Sequence, residues 1–199
     1  MYDKIVIGID QSYKNTGISI CADGKLLKVK SVNLERYKTN TMRRRVLAAN
    51  LDKVLKAVVD KGAEIVCIIE QVRLFSRGFV NINYIKSIGA LNAYIVDKCS
   101  EYDVPVYSID TRCWKSQVVG TCKKVENDYG VPAEKWLTIQ WVINEGFEED
   151  ILIKVEGKKK KGTFIRNDIK YQYNDDAADS AAIAMFGFVG DLTRLEEEH

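Results

Sequence analysis

The chain has 199 residues, 46% of them hydrophobic, enough for the core of one domain. Its 30 basic and 28 acidic side chains nearly cancel at +2, so net charge argues neither for nor against a polyanionic partner. The single histidine, His199, is the last residue, which excludes a Ser-His-Asp triad, a Cys-His pair and a histidine-ligated zinc within the fold.

The cysteines, at positions 21, 67, 99, 113 and 122, are odd in number and contain no CxxC pair. Neither a disulfide framework nor a zinc site is expected, and a reducing compartment is the simpler reading. Tyr2, Asp3 and Lys4 lead straight into a strand, so no signal segment is expected. The apolar runs fall short of a membrane span. The expectation is a soluble, cytoplasmic protein with no membrane partner.

In chain order, Ile5, Val6, Ile7 and Ile9 form a β-branched run that ends at Asp10, the pattern of a buried central strand. Residues 16–21 alternate as a second strand, Asp23-Gly24 signals a tight turn, and residues 26–32 follow as a third. These three read as an antiparallel meander. Leu47, Leu51, Val54, Leu55 and Val58 recur at helical spacing within a helix over 41–60, which Gly62 ends. The apolar run at 64–70, ending in Glu70, reads as a fourth strand parallel to the first. A loop at 71–80 leads to a second long helix over 82–100, and residues 104–109 give a fifth strand. Helices are expected over 111–119 and 132–144. Region 147–173 reads as a β-hairpin of 151–155 with 163–165, whose tip carries Lys158, Lys159, Lys160 and Lys161. A last helix is expected from about 175 to 192. The order implies an α/β mixed five-stranded sheet, 3-2-1-4-5, flanked by helices. One domain spans 1–194 with 147–173 as an inserted basic arm, and 195–199 form a tail outside the fold, natural or vector-derived.

Asp10 and Glu70 each end an apolar strand. If the two strands are parallel neighbours about 4.8 Å apart, their carboxylates stand side by side where open α/β sheets place ligands. Asp176 and Asp179 share one face of the last helix, and the small residues around them, Ala177, Ala178, Ser180, Ala181 and Ala182, let that helix press onto the sheet. Four converging carboxylates repel one another unless a cation intervenes. An all-oxygen donor set suits Mg²⁺ or Mn²⁺, and two such ions can promote phosphodiester hydrolysis. The plainer readings are a turn cap for Asp10, a buried ion pair for Glu70, and a helix cap by Asp175 or Asp176.

The segments IGIDQSYKNTGIS, IIEQV and DDAADSAAIA, in that order, resemble the three motifs of RuvC-like Holliday-junction resolvases. The stretch from SIGALNAYIV to SQVVG resembles that family's dimer helix and following strand. The resemblance covers most of 4–140 and 175–186. It implies a ribonuclease H-like fold and a homodimer joined through helix 82–100. It also implies a metal-dependent endonuclease that resolves four-way and other branched DNA by paired nicks, with two Mg²⁺ or Mn²⁺ ions in each site. By resemblance the catalytic metal ligands are Asp10, Glu70, Asp176 and Asp179, with Asp175 one step out of register, and Lys115 and Lys135 are DNA contacts. The sequence departs from the family at Gln11-Ser12, where Pro-Gly is usual. It departs again at Arg73, where cellular members carry a base-contacting aromatic, and in 147–173, which has no obvious counterpart. These departures point to a compact, phage-type member with altered sequence preference. The rival functions are a nuclease of the same superfamily acting on structured RNA and a branched-DNA-binding protein that does not cut. An actin-like ATPase or sugar-kinase reading fails for want of room for a second such domain and of a phosphate loop.

Other features stay open on sequence alone. Arg73, Phe75 and Arg77 alternate basic and aromatic residues, fit either for DNA or for core packing. Arg43, Arg44 and Arg45 near a helix start mark either a phosphate track or a solvated face. Lys158 to Lys161 form either a DNA arm or a solvated turn. On helix 82–100, Tyr84, Ile88, Leu91 and Ile95 make one apolar stripe, and Ile82, Ile85, Gly89, Ala93 and Val96 another. Two stripes fit a sheet on one side and a second subunit on the other, or one core around both.

Overall fold

The computed structural model describes residues 1–71, 82–120, 129–156 and 162–198. Strand β1 (Lys4–Asp10) is buried over Ile5, Val6, Ile7 and Ile9, because it is covered on both faces and paired on both edges. It runs antiparallel to β2 (Asn15–Ala22) and parallel to β4 (Glu64–Glu70). The turn from β2 into β3 (Lys25–Asn33) uses Asp23 and Gly24, both at positive φ, as the tight-turn signal requires. Strand β4 pairs parallel with β5 (Val106–Ile109).

The meander and the parallel pairing follow the sequence reading, but the sheet has six strands, in the order β3-β2-β1-β4-β5-β9. The sixth, β9 (Glu196–Glu198), lies antiparallel on β5 and belongs to the tail that sequence reasoning set aside. Three glutamates carry no strand signal. The outer edge of β5 nevertheless offers unpaired backbone groups, which an extended segment satisfies whatever its side chains.

Helices α1 (Asn40–Val59) and α2 (Ile82–Ser100) cover one face of the sheet, where Leu47, Leu51, Leu55, Ile88, Leu91 and Ile95 meet Ile5, Ile7 and Ile9. Burying a side chain of this kind stabilises by about 1.5–3 kcal/mol, so this layer anchors the central strands. Helix α5 (Asp175–Val189) covers the other face, where Ile183 and Phe186 meet Val6 and Ile68. The expected helix over 111–119 divides into a single α-turn, α3 (Thr111–Trp114), and a π-helical turn over 115–119, which closes at Gly120. Helix α4 (Ala133–Asn144) packs along α5.

Region 147–173 differs from the expected hairpin. Strands β6 (Leu152–Lys154) and β7 (Thr163–Arg166) do not pair with each other but flank β8 (Ile169–Tyr173) in a second sheet of order β6-β8-β7. The tight hairpin is β7 to β8, turned by Asn167 and Asp168, both at positive φ. Its apolar side joins Phe164 and Tyr173 to Tyr129 and Trp136, with Tyr129 and Phe164 centroids 4.7 Å apart. Among the described residues, no helix is long and apolar enough to cross a membrane, and Cys21, Cys67, Cys99 and Cys113 are free thiols.

Candidate active site

Parallel pairing of β1 with β4 sets Ile9 beside Ile69, so Asp10 and Glu70 follow at the same end of the sheet. A side chain that sequence reasoning did not select holds this end together. The buried Gln11 amide donates to the Glu70 carbonyl, and its oxygen accepts the Glu70 N–H at 3.2 Å. The side-chain amide thus continues the ladder one step past the last strand pair and fixes the two carboxylates relative to each other. Thr111, at the start of α3, donates to Glu70 Oε1 at 2.6 Å and orients that carboxylate. No arginine pairs with Glu70 among the described residues.

Helix α5 brings Asp176 and Asp179 to the same place by lying unusually close to the sheet. A Cβ at Gly8 would fall inside the backbone of Ser180 and Ala184, and one at Gly17 inside the carbonyl of Asp176. Ser19 and Ser180 share a buried hydrogen bond of 2.7 Å across this contact. The helix cap is neither Asp175 nor Asp176 but Asn174, whose side chain accepts the Ala177 N–H at 3.2 Å. Capping by Asn174 leaves both aspartates to other partners. Asn15, at the start of β2, donates to Asp176 Oδ2 at 2.8 Å and to Asn174 Oδ1 at 2.9 Å. Asn174 in turn bonds Ser31 on β3.

The electrostatics show the acids facing one another. Burial holds the Asp10 carboxyl well above the usual carboxylate range, and the charges of Asp179, Glu70, Asp176 and Asp175 push it further the same way. Burial pushes Asp179 up to about 6 against the opposing pull of Lys115, with Glu70 adding to the rise. Burial likewise raises Asp176, although its bond from Asn15 favours the charged form. Lys115 and Lys135 both reach the site. Lys115 Nζ lies 3.4 Å from Asp179 Oδ2, and Lys135 pairs with Asp175. Asp175, out of register in the motif, therefore sits at the rim of the site as the counter-ion of Lys135.

The residues fit a hard divalent cation. The facing donors are carboxylate oxygens, and Asp179 Oδ1 is buried without a formed hydrogen bond, with the Thr138 hydroxyl near enough to favour its charged form. Among the described residues, no three acidic, histidine or cysteine side chains form a ready-made metal cage. Three of the four acids are instead held by a partner of their own: Glu70 by Thr111, Asp176 by Asn15 and Asp179 by Lys115.

The whole chain superposes on a solved structure of RuvC from T. thermophilus in complex with Holliday junction substrate, with a TM-score of 0.63, 18% identity, and 98% of this chain and 99% of the other covered. The chain has the RuvC fold. A second Thermus thermophilus RuvC structure aligns with a TM-score of 0.56 and 15% identity over the same shares. No protein-family model matches the chain, and no curated protein sequence matches it significantly. This is the ribonuclease H-like architecture expected from the motifs, with Asp10 and Glu70 at the carboxyl ends of the central parallel strands and Asp176 and Asp179 on α5, which packs against them. Of the other candidates from sequence, Arg73, Phe75, Arg77 and Lys158 to Lys161 lie outside the described residues. Gln11, Asn15, Thr111 and Asn174 were missed, because a lone amide or hydroxyl at a strand or helix end has no periodic signature. The departure from Pro-Gly at Gln11 was the one hint.

Proposed function

We propose that the chain is a metal-dependent endonuclease that resolves four-way DNA junctions, and other branched DNA, by paired nicks. The observation that carries this reading is the facing set of Asp10, Glu70, Asp176 and Asp179 at one end of a RuvC-fold sheet, each raising or sharing the charge burden of the others. A protein that only binds DNA gains nothing from acids turned toward phosphate. Bound Mg²⁺ or Mn²⁺, two in each site, would neutralise these acids and supply Lewis-acid activation of water at the scissile phosphate.

The chain's own residues do the positioning. Gln11 ties the Glu70 backbone to the end of the strand that carries Asp10, Thr111 orients the Glu70 carboxylate, and Asn15 on β2 holds Asp176 of the helix. Lys115 and Lys135 neutralise acids in the free protein, and once a cation takes over that task their ammonium groups are released to meet a phosphate. The basic arm, through Lys158 to Lys161, and the loop with Arg73, Phe75 and Arg77 are further DNA contacts in this reading.

A homodimer through α2 is part of it. Ile88, Leu91, Ile95 and Cys99 enter the core, while Ile82 is 63% exposed and Gly89 and Ala93 are exposed, so among the described residues part of the second stripe is open, with Ile85 and Val96 half-buried. Tyr84, expected on the core stripe, is 62% exposed as well. Twofold pairing there supplies two sites for two strands.

The test is cleavage of four-way, three-way, forked and linear duplex DNA, and of a structured RNA, in Mg²⁺ and in excess chelator. The expected result is nicking of branched DNA that disappears in chelator. Full activity in chelator, or cleavage of the RNA alone, contradicts the proposal.

A further inference from the structure

A second charged surface begins one residue away from the site and is not used by the chemistry above. The loop between β1 and β2 carries the exposed Lys14, next to Asn15 and its bond to Asp176. The Lys14 carbonyl accepts the N–H groups of Leu34 at 2.7 Å and Glu35 at 2.9 Å, which clamps this loop to the segment leading into α1. On that segment Arg36 lies over the Tyr37 ring, 5.0 Å from its centroid, and the Tyr37 carbonyl accepts Arg43 Nε at 2.9 Å. Lys38, exposed, sits between Tyr37 and the α1 cap Thr39. Arg43 and Arg44 flank the Tyr13 hydroxyl, and Arg44 lies 5.7 Å from the Tyr94 ring of α2. Five cations thus form one connected band from the edge of the site to the flank of α2.

Two facts separate this band from an ordinary solvated face. Among the described residues, none of Lys14, Arg36, Lys38, Arg43 and Arg44 forms an ion pair with a carboxylate, whereas Lys115 and Lys135 both do. The first turn of α1 holds no acidic residue to set against the arginines, although acids there are favoured by the helix dipole. Planar guanidinium groups held by ring and carbonyl contacts lose little freedom on binding, and bare charge without base-reading geometry suits phosphates.

We infer that Lys14, Arg36, Lys38, Arg43 and Arg44 form a rim that seats the sugar–phosphate backbone of one DNA duplex arm on the α1 side of the carboxylate site. This rests on the branched-DNA reading above and adds where an arm lies. The rim contacts phosphates, so it orients the junction without choosing a base sequence.

The experiment uses the full chain with Lys14, Arg36 and Lys38 all changed to Gln. These side chains are exposed and make no hydrogen bond among the described residues, so folding is spared, and a melting profile checks it. Binding to a four-way DNA junction is measured in Ca²⁺ over a range of KCl, with hydroxyl-radical footprinting of each arm. Affinity near 0.1 M salt is expected to fall roughly tenfold or more, and the salt slope to become shallower by up to about 3, at about 0.9 for each lost phosphate contact. Protection of one arm is expected to vanish, and a variant with Lys14→Arg and Lys38→Arg to keep the slope. Unchanged affinity, slope and footprint overturn the rim while wild-type binding leaves the nuclease reading standing. Wild-type protein that neither binds nor nicks junctions removes both. Rim-dependent binding of structured RNA without any of the junction overturns the assignment to DNA.

Discussion

Gln11 occupies the position at which this chain leaves the RuvC-like motif, and its two bonds to the Glu70 backbone give that departure a purpose. Gln11→Ala strands a half-buried N–H and carbonyl at the strand ends, at a cost of about 1–3 kcal/mol. It also loosens the spacing of two carboxylates proposed as ligands, where a misplacement of about 1 Å can lower the rate about 10²-fold. Denaturant unfolding and single-turnover nicking together check both effects. Gly17→Ala places a methyl group inside the Asp176 carbonyl and is expected to destabilise by about 3 kcal/mol or more, beyond the usual range for overpacking, because backbone must move. Titration of the site supplies another outcome. Asp10 and Asp179 have folded-state values above the ordinary 3.8, so the folded protein holds more protons than the unfolded chain. Their contribution to stability is therefore complete at low pH and is lost as pH rises through the raised values, about 6 for Asp179. Melting in chelator should show the Asp179 part of the stability declining from about pH 4 to about 6, and Mg²⁺ should raise the melting temperature more at the upper end. A stabilisation by Mg²⁺ that is equal at both ends contradicts the carboxylate site.

Among the elements, α2 gives the most direct outcome. Ile82→Arg with Ala93→Arg puts two charges on the exposed part of the second stripe and leaves the core stripe of Ile88, Leu91 and Ile95 intact. Sedimentation should show a folded monomer in place of a dimer, and a wild-type chain that sediments as a monomer contradicts the pairing. Elements with a strong hydrophobic period were legible in the sequence. The runs 5–9 and 64–70 gave the parallel pair and hence the end of the sheet where Asp10 and Glu70 stand, and the small residues of α5 announced its close approach. What stayed hidden had a physical cause in each case. Strand β9 is held by the backbone edge of β5 rather than by its glutamates. The pairing of β7 with β8 follows from the Asn167-Asp168 turn, which leaves β6 the other edge of β8, and short half-exposed strands specify register weakly. The acids were visible because four carboxylates without a counter-charge are anomalous anywhere in a core. Their supporting amides and hydroxyls were not, since such residues are common at any strand or helix end.

At the scale of the molecule, a sheet buried on both faces carries a cluster of acids at one end, two lysines paired with Asp179 and Asp175, and a band of cations beside it that have no ion pair among the described residues. An acidic centre within a basic surround suits a polyanion that must be both held and cut. In the proposed function the two roles are separable, because the acids would hold cations while the lysines and arginines would hold phosphates. Asp10→Asn keeps the shape of the side chain but removes the charge that four neighbours already press against, so it weakens coordination of a hard cation and relieves repulsion of DNA. The most direct measurement is a paired assay of wild type and Asp10→Asn on one four-way junction, nicking in Mg²⁺ and binding in Ca²⁺. The account predicts paired nicks by wild type, loss of nicking in the variant by at least about 10²-fold, and junction affinity equal to or tighter than wild type. Nicking by the variant at near wild-type rate, or loss of binding together with nicking while the melting profile is normal, would contradict it.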